Sequence, residues 1–399
     1  MISKSKNIKL TLSQKALFTF FAIISLALCA FADGNLIPSV RVVRDKQIQV
    51  PFPPEFSVPP VVEYMQFQYL DWSATTGEIA ASAIQGPYIY LVNPETGSTR
   101  TIRTAARGAG RSLTWLPNTT LLMADGAMQD PYGNAQVYDT AGDLTQPTVS
   151  GFMNIRTLVK GIILPDGQPA FVVLGQPKLT SVENGIKYYA YIHAGTDWKP
   201  VQKLQVFPND GYTYLPRHAA ITQTVDGIYA FIQAQFGKLG EDQGLNVWLV
   251  NLSAGKTSCR IDPSEGAANI NERYSFTLRG VGISKNANWM AANTAKTFDL
   301  YDAKTCKRLY RLSDRDGSYP RGAGFVAPVF TPDEKYLILA GSTVRTSKGG
   351  YLNVWRVTDG KLIYHAEELR PQALTVDPNS KRFVVGHAQG QLTIFHIED

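Results

Sequence analysis

Short runs of alternating apolar and polar residues recur along the chain, and each run ends in a polar turn. One run, Tyr88-Ile-Tyr-Leu-Val92, precedes the turn Asn93-Pro-Glu-Thr-Gly97, and another, Phe298-Asp-Leu-Tyr301, precedes a second turn. Period-two patterns rich in aromatic and β-branched residues, bounded by turn residues, predict β-strands. No stretch combines a helical period with helix caps. The pattern therefore predicts an all-β protein.

A longer repeat organises these strands. The segment Leu245-Asn-Val-Trp-Leu-Val-Asn251 returns as Leu352-Asn-Val-Trp-Arg-Val-Thr358, two periods of roughly 50 residues later. A second kind of turn, such as Thr331-Pro-Asp-Glu334, is followed by a small-residue apolar strand, here Tyr336–Gly341. One repeat is thus strand, tight turn, strand, variable loop, strand, tight turn, strand. Four antiparallel strands per repeat are typical of a propeller blade.

The phrases at 331–341 and 352–362 resemble the WD40 family, although the Gly-His and terminal Trp-Asp signatures of that family are mostly missing. Exported propellers of the YVTN and quinoprotein-amine-dehydrogenase-like type are similarly degenerate, and the resemblance extends to that group. It is a resemblance of fold and implies a β-propeller of four-stranded antiparallel blades, and counting the repeats along the chain predicts a seven-bladed ring. A β-sandwich array is the alternative. Repeats are predicted at about 66–104, 112–149, 156–206, 217–262, 275–312, 323–366 and 372–399.

The last repeat supplies only three strands before Asp399. An unpaired sheet edge is a liability, so the fourth strand is expected from the N-terminal region, at 39–43 or 47–50. The ring is then closed by a strand from the other end of the chain. We predict one propeller domain over 33–399, in which 33–65 contains the closing strand and a stiff Pro-rich connector at 51–60.

The first 32 residues have the features of a secretory signal peptide. Four lysines (Lys4, Lys6, Lys9 and Lys15) precede an apolar run at 16–30, which ends in Ala30-Phe31-Ala32. We predict cleavage near Ala32 and a periplasmic or secreted protein. An uncleaved anchor and a lipoprotein modified at Cys29 are the alternatives. No later apolar stretch is long enough to span a membrane, so no span is expected in the mature chain.

The net charge of +6 belongs mostly to this export signal. Removing its four lysines from 39 basic residues, against 33 acidic ones, leaves the mature chain nearly neutral. Nucleic-acid binding requires a basic surface that survives processing, so the composition argues against that function.

Two cysteines, Cys259 and Cys306, remain after processing. A disulfide requires Cα atoms within about 7 Å of each other. Both cysteines follow corresponding turns in neighbouring repeats, which places them on outer strands that diverge. We therefore favour buried free thiols and keep a disulfide as the alternative.

Residues with catalytic chemistry are scarce. The five histidines lie outside metal-ligand spacing from one another and from the cysteines, so neither a metal site nor a cofactor is predicted. The acids Asp125, Asp130, Glu241 and Asp242 fall in predicted loops, where solvated charge is the default interpretation.

An arginine recurs near the start of the innermost predicted strand in six repeats. In a propeller this position borders the central channel on the face that also carries the longest variable loops. Converging guanidinium groups bind carboxylates or phosphates well. The alternative is that they cap strand ends. The six candidates are Arg111, Arg156, Arg217, Arg279, Arg321 and Arg370.

Together these features favour an exported, non-enzymatic propeller that binds an anionic ligand or an acidic protein partner on its loop face. The alternative is a periplasmic enzyme, either a quinoprotein-like dehydrogenase or a lactonase-type hydrolase, with its site across the channel mouth.

Overall fold

The structure is a computed structural model that carries side chains. The predicted signal peptide, residues 1–32, lies outside the residues that the structure describes, as does most of the Pro-rich connector. No helix within the described part is long and apolar enough to cross a membrane. The described residues are 40–51, 67–83, 88–103, 112–125, 135–141, 152–177, 188–207, 213–237, 244–261, 280–293, 298–312, 323–343, 350–368 and 370–399.

Seven antiparallel sheets follow one another along the chain, and each forms one blade. From the channel outward, blade 1 contains β2 (Phe67–Trp72), β3 (Ile79–Ala83), β4 (Tyr88–Val92) and β5 (Thr99–Arg103); blade 2 contains β6 (Leu113–Trp115), β7 (Leu121–Asp125) and β8 (Ala135–Asp139); blade 3 contains β9 (Phe152–Ile163), β10 (Pro169–Pro177), β11 (Tyr189–Ala194) and β12 (Lys199–Gln205); blade 4 contains β13 (Thr213–Thr224), β14 (Gly227–Gly237), β15 (Gly244–Asn251) and β16 (Lys256–Ile261).

The later blades follow the same order. Blade 5 contains β17 (Val281–Ile283), β18 (Trp289–Asn293), β19 (Phe298–Asp302) and β20 (Arg308–Leu312); blade 6 contains β21 (Ala323–Phe325) and β22 (Val329–Phe330), then β23 (Tyr336–Thr343), β24 (Gly350–Arg356) and β25 (Leu362–Glu368); blade 7 contains β26 (Pro371–Val376), β27 (Arg382–His387) and β28 (Gln391–Glu398), with β1 (Arg41–Gln49) as its outermost strand.

The innermost strands contact one another in cyclic order, from β2 through β6, β9, β13, β17, β22 and β26 back to β2. This order confirms the predicted seven-bladed β-propeller. The apolar core lies between neighbouring blades, as in the cluster that joins Val172 and Ile192 of blade 3 to Ala230 and Trp248 of blade 4. The two central strands of a blade are therefore apolar on both faces, whereas the outermost strands alternate, as β16 does.

The predicted turns form through local hydrogen bonds. At the β4–β5 turn, the Asn93 side-chain oxygen accepts from the backbone N–H groups of Glu95 and Thr96, both at 2.9 Å. Gly97 closes this turn at φ 79°, a conformation that favours glycine. A polar turn that ends in glycine thus fixes the register of the flanking strands.

The strand order of blade 7 places β1 beside β28. At the end of this strand, the Val50 N–H donates to the Gly390 carbonyl at 3.0 Å. Ile48 and Val50 are buried among apolar residues of blades 7 and 1, which include Leu392 and Trp72. The N-terminal strand therefore contributes to the core as well as to the sheet edge.

Three details depart from the predicted boundaries. The innermost strands β9 and β13 begin four residues before the predicted starts at 156 and 217 and are each 12 residues long. The innermost strand of blade 6 is interrupted between β21 and β22. The fourth strand predicted for blade 2 falls within residues 142–151, which lie outside the described residues.

The outermost strand of a blade contacts a turn of the next blade at several junctions. The Lys46 ammonium on β1 donates to the Glu95 carbonyl of blade 1 at 2.6 Å, and the Tyr310 hydroxyl on β20 donates to the Thr358 carbonyl of blade 6 at 2.7 Å. At the junction of blades 4 and 5 this contact is covalent. Cys259 on β16 is disulfide-bonded to Cys306, with Cα atoms 6.1 Å apart.

The favoured interpretation of two free thiols therefore differs from the structure. It assumed that both cysteines lie on diverging outer strands. Cys306 instead lies in the β19–β20 turn, at φ 60°, and this turn approaches the outer strand of the preceding blade.

Candidate functional site

The central channel is a concave feature formed by the described residues. It encloses about 970 Å³ and is lined by the innermost strands of all seven blades, together with the tight turns at one end. This volume is at the upper end of the range of ligand-binding pockets. The channel wall consequently combines side chains that are far apart in sequence.

Glycines let the innermost strands approach closely. A Cβ atom on Gly161 of β9 would lie 2.2 Å from the Trp115 carbonyl of β6, and one on Gly282 of β17 would lie 2.5 Å from the Pro328 carbonyl. Such distances are far shorter than van der Waals contact. Larger residues at these positions would force the blades apart.

Side chains also bridge neighbouring blades at the tight-turn end of the channel. The Gln223 amide of blade 4 accepts from the Ile163 N–H at 2.8 Å and donates to the Ile163 carbonyl at 2.5 Å. The Thr222 hydroxyl donates to the Lys285 carbonyl of blade 5 at 2.7 Å. These hydrogen bonds fix the positions of the wall residues of blades 3, 4 and 5 relative to one another.

Asp71, on β2 of blade 1, is the one carboxylate among the described residues of the channel wall. Its Oδ2 atom accepts from the Trp115 N–H at 2.8 Å and from the Thr114 hydroxyl at 3.1 Å. Both donors belong to blade 2. Because one of its oxygens accepts two hydrogen bonds, the carboxylate is held in a fixed orientation.

Three basic side chains line the described wall on consecutive blades: Lys160 on blade 3, His218 on blade 4 and Lys285 on blade 5. We call these residues the basic arc. Lys160 is partly buried and Lys285 is exposed. Within the described part of the chain, neither lysine ammonium has a hydrogen-bond or ion-pair partner. The wall therefore carries more positive than negative charge.

The six arginines predicted as a ligand site remain a prediction. Arg111, Arg279 and Arg321 lie outside the described residues. Arg156 and Arg217 each occupy the fifth position of a 12-residue innermost strand, β9 and β13 respectively, beside a register irregularity.

Arg370 immediately precedes β26, is partly buried and has φ 38°. The structure thus places two of these arginines at equivalent positions in neighbouring blades.

No sequence pattern pointed to Lys160, Lys285 or Asp71. A single lysine in a strand or turn is ordinary, and only the closure of the ring brings these residues onto one wall. The arginines near the starts of six repeats, by contrast, recur with the repeat and can be recognised in the sequence.

Outside the channel, His193 makes structural contacts. His193 of blade 3 stacks on Phe171 with ring centroids 5.0 Å apart, and its Nδ1 atom lies 2.9 Å from the Trp198 carbonyl. Burial lowers the pKa of His193 below its usual value, and the hydrogen bond to Trp198 opposes this shift only in part. No group of three or more metal-ligating side chains occurs among the residues described.

Two comparisons with known proteins were negative: no protein-family model matches the sequence, and no curated protein sequence matches it. The fold is a β-propeller like that implied by the WD40-like phrases. Propellers host many functions, so function has to be argued from the channel itself.

Proposed function

We propose that this protein is a β-propeller binding protein that takes an anionic ligand, or an acidic segment of a partner, at its central channel. The observation that carries this proposal is the charge of the described channel wall. Two lysine ammonium groups that have no partner among the described residues, together with one imidazole, stand against a single carboxylate that already accepts two hydrogen bonds.

Unpaired cations on a concave wall favour an anion for two reasons. The wall is partly screened from water, so a charge-assisted hydrogen bond there is stronger than at an open surface. The anion also relieves the repulsion between the basic groups themselves. The predicted loop-face arginines would add to the same potential if they converge.

Export completes the proposal. The signal peptide predicted for residues 1–32 would deliver the mature propeller to the periplasm or the medium. The partner is then a molecule of that compartment. Mass spectrometry of the mature N-terminus tests this part directly, with cleavage expected after Ala32.

Binding is tested by isothermal titration calorimetry of the mature protein with citrate and with an octaglutamate peptide. We expect Lys160→Gln combined with Lys285→Gln to weaken binding about tenfold or more, the loss of charge-assisted hydrogen bonds. Raising NaCl from about 50 mM to about 500 mM should also weaken binding. Lys256→Gln, on the exposed outer strand of blade 4, is the matched control.

Two outcomes distinguish the possible sites. If Arg217→Ala with Arg279→Ala weakens binding while the lysine variant does not, the ligand binds on the loop face only. If no variant changes the binding of a probe that binds, or if neither these probes nor the carboxylate-bearing peptides described below bind, the anionic-ligand proposal is wrong. Saturable turnover of a substrate, lost on mutation of a channel residue, would instead support the alternative of an enzyme.

A further inference from the structure

The charges on the channel wall are arranged asymmetrically. The basic arc occupies blades 3, 4 and 5, whereas Asp71 lies on blade 1. In a ring of seven blades, blades 1 and 4 are separated by two blades on one side and three on the other. His218 on blade 4 and Lys285 on blade 5 therefore lie across the channel from Asp71, whereas Lys160 on blade 3 is separated from it only by blade 2.

A chain of contacts places Asp71 and Lys160 at similar depth. Asp71 binds the Thr114 hydroxyl and the Trp115 N–H, and the Gly161 N–H donates to the same Thr114 hydroxyl at 3.1 Å. Lys160 adjoins Gly161 and is one strand residue, about 3.3 Å, further along the axis. The Lys160 backbone and the Asp71 carboxylate therefore lie at similar depth, with only blade 2 between them.

Asp71 retains capacity to bind a ligand. Its two described hydrogen bonds both go to Oδ2, and Oδ1 has no partner within the described part of the chain. A carboxylate can accept about four hydrogen bonds through its two oxygens. Since the blade 2 donors hold the group in place, Oδ1 is a preoriented acceptor.

In blade 4, the strand next to the innermost strand also places a polar side chain beside the basic arc. Gln233 on β14 is the Cα partner of His218 and so lies on the same face of the sheet. Its side chain is 1% exposed, and neither amide atom has a hydrogen-bond partner among the described protein groups. The cross-strand neighbour of His218 is therefore a buried amide and not an apolar side chain.

We propose that the channel ligand is a small zwitterion that binds in one orientation. Its carboxylate lies at the basic arc, and its ammonium, or an equivalent hydrogen-bond donor, lies at Asp71. This inference rests on the proposed function and adds a specificity-determining residue to it. Asp71 selects ligands that carry a cationic end and disfavours those that are purely anionic.

Three short peptides that differ only in their end groups test the orientation. Triglycine carries both charges, N-acetyl-triglycine retains only the carboxylate, and triglycine amide retains only the ammonium. The pentaglycine series repeats the comparison at a longer span. Affinities are measured by calorimetry on the mature protein, and each variant is first checked by its melting temperature.

For the wild-type protein we expect the zwitterion to bind about tenfold more tightly than either singly charged analogue, the effect of one charge-assisted hydrogen bond. Asp71→Asn should abolish the preference over the acetylated peptide, because the amide still accepts from blade 2 but carries no charge. Lys160→Gln should abolish the preference over the peptide amide. Asp166→Asn, in an exposed turn of blade 3, is the matched control.

The failures of the two proposals differ. If citrate binding depends on Lys160 and Lys285 but neither zwitterion binds, or Asp71→Asn leaves the preferences unchanged, this inference is wrong and the proposed function stands. If citrate and the zwitterions all fail to bind, both are wrong. If Asp71→Asn unfolds the protein, Asp71→Glu is used instead, which keeps the charge but displaces the carboxylate. An unchanged preference of that variant for the zwitterion over the singly charged peptides also contradicts the inference.

Discussion

Two junctions of the ring are held by different chemistry. Within blade 7, β1 and β28 pair without a covalent link, and the N-terminal segment contributes buried Ile48 and Val50 to the core between blades 7 and 1. Arg382 forms ion pairs there with Glu95 and Asp45. Between blades 4 and 5 the chain is continuous, and the Cys259–Cys306 disulfide adds a second connection.

The difference shows how each junction could open and what prevents it. A ring whose ends are joined only by a strand can open at that strand, so its closure needs apolar burial. The junction of blades 4 and 5 cannot separate completely because the chain crosses it. The disulfide there limits how far the outer edges of the two blades move apart.

The largest effect is expected from removing β1. A chain that begins at Pro51 loses the burial of Ile48 and Val50 and the sheet edge of blade 7, which should cost about 5 kcal/mol or more. We expect partial unfolding or aggregation through the exposed edge of β28. Thermal melts and light scattering measure both.

The matched control for this truncation is a chain that begins at Ser39 and retains β1. It should melt like a chain that begins at Asp33. Equal melting temperatures for the two truncated chains would show that β1 does not stabilise the ring.

A smaller loss is expected from opening the disulfide. Replacing Cys259 and Cys306 by alanine should reduce the free energy of unfolding by about 2 to 4 kcal/mol, since the closed loop spans 47 residues. Urea unfolding measures this value. A reductant should lower the stability of the wild-type protein only; the same loss in the double variant would exclude the disulfide as its origin.

The smallest effect is expected from the ion pairs at the first junction. Arg382→Gln should cost about 0.5 kcal/mol, because the partner Glu95 side chain is 70% exposed. Added salt should erase the difference from wild type. Arg356→Gln removes a pair within blade 6 and is the control; a much larger loss for Arg382 would mean that charge, rather than apolar burial, closes the ring.

Much of the fold was predictable because its signals are local. The segment from Thr331 to Gly341 forms a tight turn and then β23, as its sequence indicates, because Thr331 and Asp333 bind backbone groups within the same turn. The interruption of the blade 6 inner strand was missed. The Val326 N–H still donates to the Ala340 carbonyl on β23, and the register then shifts by one residue before Val329 pairs with Ile338, an arrangement that depends on the partner strand.

The candidate site was less predictable for a physical reason. The arginines at blade starts recur with the repeat, so they stand out in a sequence. Lys160, Asp71 and Lys285 occupy unrelated positions within their blades. Their relation depends on ring closure and on contacts such as that between Thr114 and Gly161. The pairing of Cys259 with Cys306 was missed similarly, since the position of a turn against the neighbouring blade is a tertiary property.

The glycines of the innermost strands have a consequence for selectivity. Where Gly161 and Gly282 press against neighbouring backbone, the blades are already as close as their atoms allow. The width of the channel is then fixed. A bound molecule must already fit this width, because the walls cannot move closer together around a smaller molecule. If the channel binds a ligand as proposed, the size of that ligand is therefore limited as well as its charge.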